Sequence, residues 1–151
     1  MSSLWPEVFV VIVATLVVVS AAVTIHYRGL NFLAEHGAQW THRFGRRTVL
    51  IGIVVVLLLH TIEIGVFGLA WWTLLQWPGL GSIPGMTGVD LPDALFLSSL
   101  AFTSLGFDNL TPGGPVRILA AIEALSGFVL ITWSASFTYL DMSRHWRDRH
   151  H

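Results

Sequence analysis

The chain has 151 residues, 54% of them hydrophobic and only 11% charged, with a formal net charge of −1. A soluble domain carries about a quarter charged residues, so this composition excludes an ordinary soluble fold and predicts an integral membrane protein. Cysteine and lysine are both absent, which excludes disulfides, thiolate metal sites and thiol catalysis; no nucleic-acid partner is expected.

The first apolar run, residues 7–27 ("EVFVVIVATLVVVSAAVTIHY"), is close to the ~20 residues that a bilayer requires. It lacks the basic flank of a signal peptide and is too long for one, so residues 1–28 are read as a retained N-terminal transmembrane helix. Residues 29–47 follow as a cytoplasmic connector. In it Leu30, Leu33, Gly37, Trp40 and Phe44 repeat at helical spacing, with Asn31, Glu35, Gln39, His42 and Arg43 mostly on other faces. That pattern predicts an amphipathic helix lying on the inner membrane surface; the alternative is a loosely structured connector.

Residues 48–146 form the third and largest unit. Its outer helix, 48–77, would measure ~45 Å and must tilt or emerge from the membrane. His60 and Glu63 lie in mid-span, three apart and so on one helical face. Ionisable groups at that depth are costly and point into the bundle interior. Three roles remain open for them: a polar clamp to the short helix that follows or to span three, a pH-responsive element, or a metal site. A metal needs more ligands than this pair. A Gly/Pro-rich loop then leads to "DLPDALFLSSLAFT", a short helix over 91–103 with Asp90 as N-cap and Pro92 and Asp93 in its first turn. A dozen residues reach only ~18 Å, enough to enter the membrane halfway and no further. The chain returns through 104–108 and crosses again in an inner helix, 115–140, with proline at its first turn. Residues 141–151 are a short tail, whose His150 and His151 mark a mobile end rather than a metal grip.

Arginine placement sets the expected orientation. Arg28, Arg43, Arg46 and Arg47 lie between spans one and two, Arg144, Arg147 and Arg149 in the tail, and only Arg117 elsewhere. The positive-inside rule puts connector and C-terminus in the cytoplasm and the N-terminus outside. Trp71, Trp72 and Trp77, with Trp5, then form an outer aromatic belt. Arg117 would pair with Asp108, Asp93 or a lipid phosphate.

The return segment, "TSLGFDN" (103–109), carries the functional signal. Non-helical backbone is tolerated at membrane depth only where it is buried in protein or lines a water-filled path. Successive carbonyls facing one way replace the water shell of a cation, and glycine serves where the backbone leaves ordinary conformations. The half-helix aims its partly negative C-terminal end at the same place.

Span, half-helix, Thr-Ser-Leu-Gly-Phe-Asp-Asn, then span resembles the potassium-channel pore-domain family, whose signature is Thr-Thr-Val-Gly-Tyr-Gly-Asp. It looks most like small bacterial channels of the two-transmembrane pore class with an extra N-terminal helix; the resemblance covers residues 48–146. It implies an all-α membrane protein with three transmembrane helices, a re-entrant pore helix and a filter loop, assembled as a homotetramer. Ser104, Leu105, Gly106 and Phe107 would bind potassium, Thr103 would brace the pore helix, and Asp108 and Asn109 would form the outer mouth. Asp108 replaces the second filter glycine, a left-handed position that aspartate tolerates. The expected function is passive passage of a monovalent cation, potassium first, through a bacterial inner membrane, without cofactor or enzymatic step. Rival readings are a non-selective monovalent cation channel, a non-conducting accessory subunit, and a metal-dependent membrane enzyme using His60, Glu63 and Glu123.

Further positions on the inner helix complete the expectations. Glu123 either braces the filter from behind or lines an ion path. Gly127 falls where the family places its inner-helix hinge, but glycine equally allows close packing. Trp133 or Phe137 would form an apolar constriction that gates by dewetting, or face lipid; Ile131, Ser134 and Thr138 are candidates for the water-facing lining.

Overall fold

The computed structural model describes residues 5–44 and 47–147, with the side chains of 38–44, 141 and 144–147 outside that description. The connector's Trp40 and Phe44 side chains, and tail residues His150 and His151, therefore lie outside the described residues. Four α-helices follow in order: α1 (Trp5–Phe44), α2 (Arg47–Leu75), α3 (Leu91–Phe102) and α4 (Arg117–Arg147), with a single 3₁₀ turn, Asp108–Leu110, between the last two. Three helical stretches are long and apolar enough to cross a membrane: Trp5–Gly37 in α1, all of α2, and Arg117–Leu140 in α4. The protein is an all-α membrane protein.

Of the separate surface connector expected over 29–47, residues 29–44 are instead the continuation of α1, which runs 40 residues without a break. No proline interrupts it, and the two glycines, Gly29 and Gly37, stand singly among good helix formers. At ~1.5 Å per residue the helix is ~60 Å long, twice the hydrocarbon thickness of ~30 Å. The stripe read as membrane-facing has another partner. Leu30 and Leu33 are buried, Leu33 approaching Gly52 of α2 and Gly29 lying against Leu59.

Helix α1 packs on α2 and α4 of its own chain, and α3 is held between α2 and α4. The core gathers Val11 and Ala22 from α1, Phe67 and Trp71 from α2, Ala94, Leu97 and Phe102 from α3, and Leu119 and Leu130 from α4. Trp71 is fully buried, so it leaves the expected aromatic belt; Trp5, Trp72 and Trp77 are exposed. An indole whose N–H is paired inside the bundle gains more from burial than from a headgroup interface.

Loops at the α3 entry side are tied together. Ser82 and Gly113 exchange backbone hydrogen bonds of 3.2 and 2.8 Å, and the Val116 N–H donates to the Leu80 carbonyl at 2.8 Å. Gln76 reaches from the end of α2 to the Val89 carbonyl at 3.0 Å.

Gly127 has a clear packing role. A methyl group there would overlap the carbonyl group of Phe102, the last residue of α3. The missing side chain is what lets α4 lie against the end of the half-helix. Gly127→Ala should therefore lower the melting temperature of the purified protein, by the ~1–3 kcal/mol typical of overpacking. Gly65→Ala, with nothing within 4 Å of the added carbon, should leave it unchanged or raised; equal melting temperatures for the two variants would contradict this packing.

Candidate ion-conducting site

Local chemistry fixes both ends of α3. Asp90 is its N-cap, extended at φ −84° and ψ 176°, with a carboxylate oxygen accepting from the Asp93 N–H at 2.9 Å. The expected cap and first turn are as read from the sequence. At the other end Ser104 takes φ +55°. Its N–H donates to Ala101 at 2.9 Å while the Leu105 N–H donates to Leu100 at 3.0 Å. This pair of bonds around a left-handed residue is a Schellman cap. Glycine is usual there; here a serine carries it. The apolar residue that follows such a cap commonly folds back on the helix, but Leu105 remains 78% exposed.

Positive φ recurs at every second residue beyond the helix: Ser104 (+55°), Gly106 (+94°) and Asp108 (+46°). Thr103 and Phe107, by contrast, sit in the right-handed region at φ −82° and −98°. Regular alternation of handedness turns each peptide plane over relative to its neighbour, so N–H groups gather on one side and carbonyls on the other. Aspartate at 108 does adopt the left-handed backbone its position was expected to demand.

The strip's hydrogen bonding is one-sided. Among the described residues no donor meets the carbonyls of Ser104, Leu105 or Gly106, whereas the Phe107 carbonyl accepts from the Leu110 N–H at 2.8 Å. Thr111 Oγ1 donates to the Asp108 carbonyl at 2.9 Å, fixing the turn after the strip. Thr103 directs its hydroxyl back to Ser99 at 2.7 Å, which braces the end of α3 from within. Asn109 is exposed beside Asp108.

Behind the strip stands a buried polar network centred on Glu123, a residue with 0% exposure. The Trp71 indole N–H donates to Glu123 Oε2 at 2.6 Å. Ser98, in the middle of α3, contacts Glu123 Oε1 at 2.5 Å and the Ile64 carbonyl at 2.8 Å. The Trp71 ring packs against Phe107 with centroids 5.9 Å apart. Glu123 thus links α4 to α3 through Ser98 and to α2 through Trp71, whose ring meets Phe107. The Ser104 hydroxyl adds a long contact, 3.4 Å, to the Ala124 carbonyl.

His60 and Glu63 do converge, and a third residue joins them. Glu63 Oε1 accepts from His26 Nδ1 on α1 and Oε2 from His60 Nδ1, each at 2.8 Å. The clamp therefore ties α2 chiefly to α1, which the sequence pair did not suggest, and reaches α4 through Ser134, whose Oγ lies 3.4 Å from His26 Nε2. Ser134 is consequently buried, not a lining residue. Glu123 belongs to a different network, with Trp71 and Ser98, and does not join His60 and Glu63. Trp133 packs on His26 at 5.2 Å, Phe137 is half-buried and Thr138 likewise, and Ile131 is exposed. Arg117 is exposed at the start of α4.

Sequence reasoning missed His26, Ser98 and the buried role of Trp71. A signal existed for His26, a titratable residue at the end of an apolar run; Ser98 carried none beyond its place on the half-helix.

A half-helix and a strip of backbone with recurring positive φ thus lie between two apolar spans. The family model described as "Ion channel" matches residues 48–140, more than half of the chain, and the protein belongs to that family, whose pore domain is of the two-transmembrane, potassium-channel-like type. No curated protein and no solved structure matches the chain.

Ser98→Ala and Trp71→Phe each leave one oxygen of a buried carboxyl group without its partner, and each should cost about 1–3 kcal/mol, read as a lowered melting temperature. Because both serve the same carboxyl group, the double variant should deviate from additivity. Strict additivity would show that Glu123 does not couple them.

Proposed function

We propose that this channel is a homotetramer that passes potassium passively down its gradient through a bacterial inner membrane. The N-terminus lies outside and the C-terminus in the cytoplasm. One strip of three or four carbonyls cannot enclose an ion, so a closed ring of copies is required, and cyclic symmetry supplies it. The observation that carries the reading is the positive φ at every second residue from Ser104 to Asp108 together with the carbonyls of Ser104, Leu105 and Gly106, which no donor meets among the described residues. Unpaired carbonyls at membrane depth are stable where they take over a cation's hydration. The strip's exposure in the single chain, Leu105 above all, supports contact with symmetry mates, as do the exposed Leu125, Phe128 and Val129 on α4. The C-terminal end of α3 adds a partial negative charge near the innermost carbonyl, and Asp108 adds a carboxyl group at the outer mouth. No chemical step on a substrate belongs to this function.

A second reading, a non-selective monovalent cation channel, is favoured by one feature. The Phe107 carbonyl is shared with Leu110, which leaves three carbonyls per chain wholly free for coordination. The purified protein in liposomes, with sodium, potassium and rubidium compared, separates the two: potassium and rubidium flux well above sodium supports the first, equal flux the second. Gly106→Ala should abolish flux while the protein still assembles, because φ +94° is strained for any residue with a side chain; wild-type conductance in that variant would overturn the strip's role. Asp108→Asn should reduce inward flux more at low than at high ionic strength, since the field of a mouth carboxylate is screened by salt. Equal reduction at both would count against a field effect.

A further inference from the structure

Half-way along α1 and α2, three ligand-bearing side chains meet in the membrane interior. His26 and Glu63 are fully buried and His60 keeps 13% of its side chain exposed. One ligand atom from each lies within 4.8 Å of the other two. We propose that His26, His60 and Glu63 form a binding site for a divalent transition metal of the zinc class, which staples α1 to the pore domain. Two imidazoles and one carboxylate are the ligand set of three-residue zinc sites with one open position, and that mixture of nitrogen and oxygen suits zinc better than calcium or magnesium.

The geometry needs little change. Each Nδ1 stands 2.8 Å from a different oxygen of Glu63, so the two nitrogens flank one carboxylate. A tetrahedral ion with ligands at about 2.0–2.1 Å requires its ligand atoms roughly 3.3 Å apart, between the 2.8 Å of the nitrogen–oxygen pairs and the 4.8 Å that bounds the triad. Rotation of the three side chains, which spreads the nitrogen–oxygen pairs by about half an ångström, admits it. The outer partners fit as well. An imidazole that binds metal through Nδ1 carries its remaining proton on Nε2, and ligating histidines characteristically donate that proton to a neighbouring acceptor. His26 Nε2 faces Ser134 Oγ of α4 at 3.4 Å, so metal binding would draw the inner helix into the same cluster. The walls are apolar: Trp133 lies 5.2 Å from His26 and Phe102 5.8 Å from His60, while the two imidazoles stack at 5.5 Å. Such walls exclude competing water ligands and strengthen the ion's hold on the carboxylate. The exposed edge of His60 is the side on which an ion and its fourth ligand arrive.

The test uses the purified full-length protein in lipid nanodiscs and is independent of ion flux. Zinc chloride is added, excess is removed, and bound metal is measured by mass spectrometry, with cobalt(II) substituted in parallel. The expected result is one zinc per chain, visible absorption bands of tetrahedral cobalt, and a melting temperature raised by zinc but not by magnesium. His26→Gln and His60→Gln should each weaken zinc binding at least 10-fold, and Ser134→Ala about 10-fold with stoichiometry kept, as for loss of an outer partner. A His145→Gln, His150→Gln, His151→Gln triple variant should bind like wild type. No zinc above blank in the wild-type protein overturns the proposal, as does zinc retained equally in His26→Gln and His60→Gln. Loss of binding only in the triple variant overturns it too, by assigning the metal to the tail. Should either histidine variant fail to fold, the wild-type stoichiometry and cobalt spectrum decide alone.

Discussion

The structure turns on the obligation to satisfy backbone polar groups where water is scarce. Helices α1, α2 and α4 meet it internally, each carbonyl taking an amide of the same helix. The strip after α3 does not: the amides of Ser104 and Leu105 fold back into a helix cap, and the carbonyls of Ser104, Leu105 and Gly106 are left without donors among the described residues. A protein that lined these groups against lipid would lose several kcal/mol for each. Their presence in a membrane-crossing chain therefore points to something polar beside them, and an ion-channel family supplies it.

Everything behind the strip serves to hold that backbone still. The half-helix is anchored at its start by a carboxylate cap and at its end by a left-handed serine. Its flank is fastened to α4 by Ser98 and to α2 by the shared contact with the Ile64 carbonyl. Trp71 spans the remaining gap, with its N–H on Glu123 and its ring on Phe107. A carboxyl group and an indole N–H buried together are costly unless both are satisfied, and here both are. The consequence is that the backbone after α3 is held from α2 and α4 at once.

Much of this was legible because it is local. The apolar run lengths gave the three spans; an aspartate followed by proline and aspartate marked the start of α3; the glycine and aspartate two apart marked left-handed backbone. What was hidden depended on which helix faces meet. His26 lies 37 residues from Glu63 and Trp71 lies 52 from Glu123, and no periodicity in an all-apolar helix says which face turns inward. The continuity of α1 was missed for a related reason. Leu30 and Leu33 have the spacing of an interfacial stripe, and only the position of α2 shows that the stripe is filled by another helix.

The contact of Gly127 with the end of α3 has a mechanical corollary. Backbone meets backbone there with no side chain between, a dovetail that forbids axial sliding or rotation of one helix past the other unless they first separate. The upper part of α4 and the strip-bearing half-helix consequently travel as one rigid body. Any outward swing of the C-terminal half of α4 must bend the helix beyond this joint, leaving the strip undisturbed, or else carry the strip along with it.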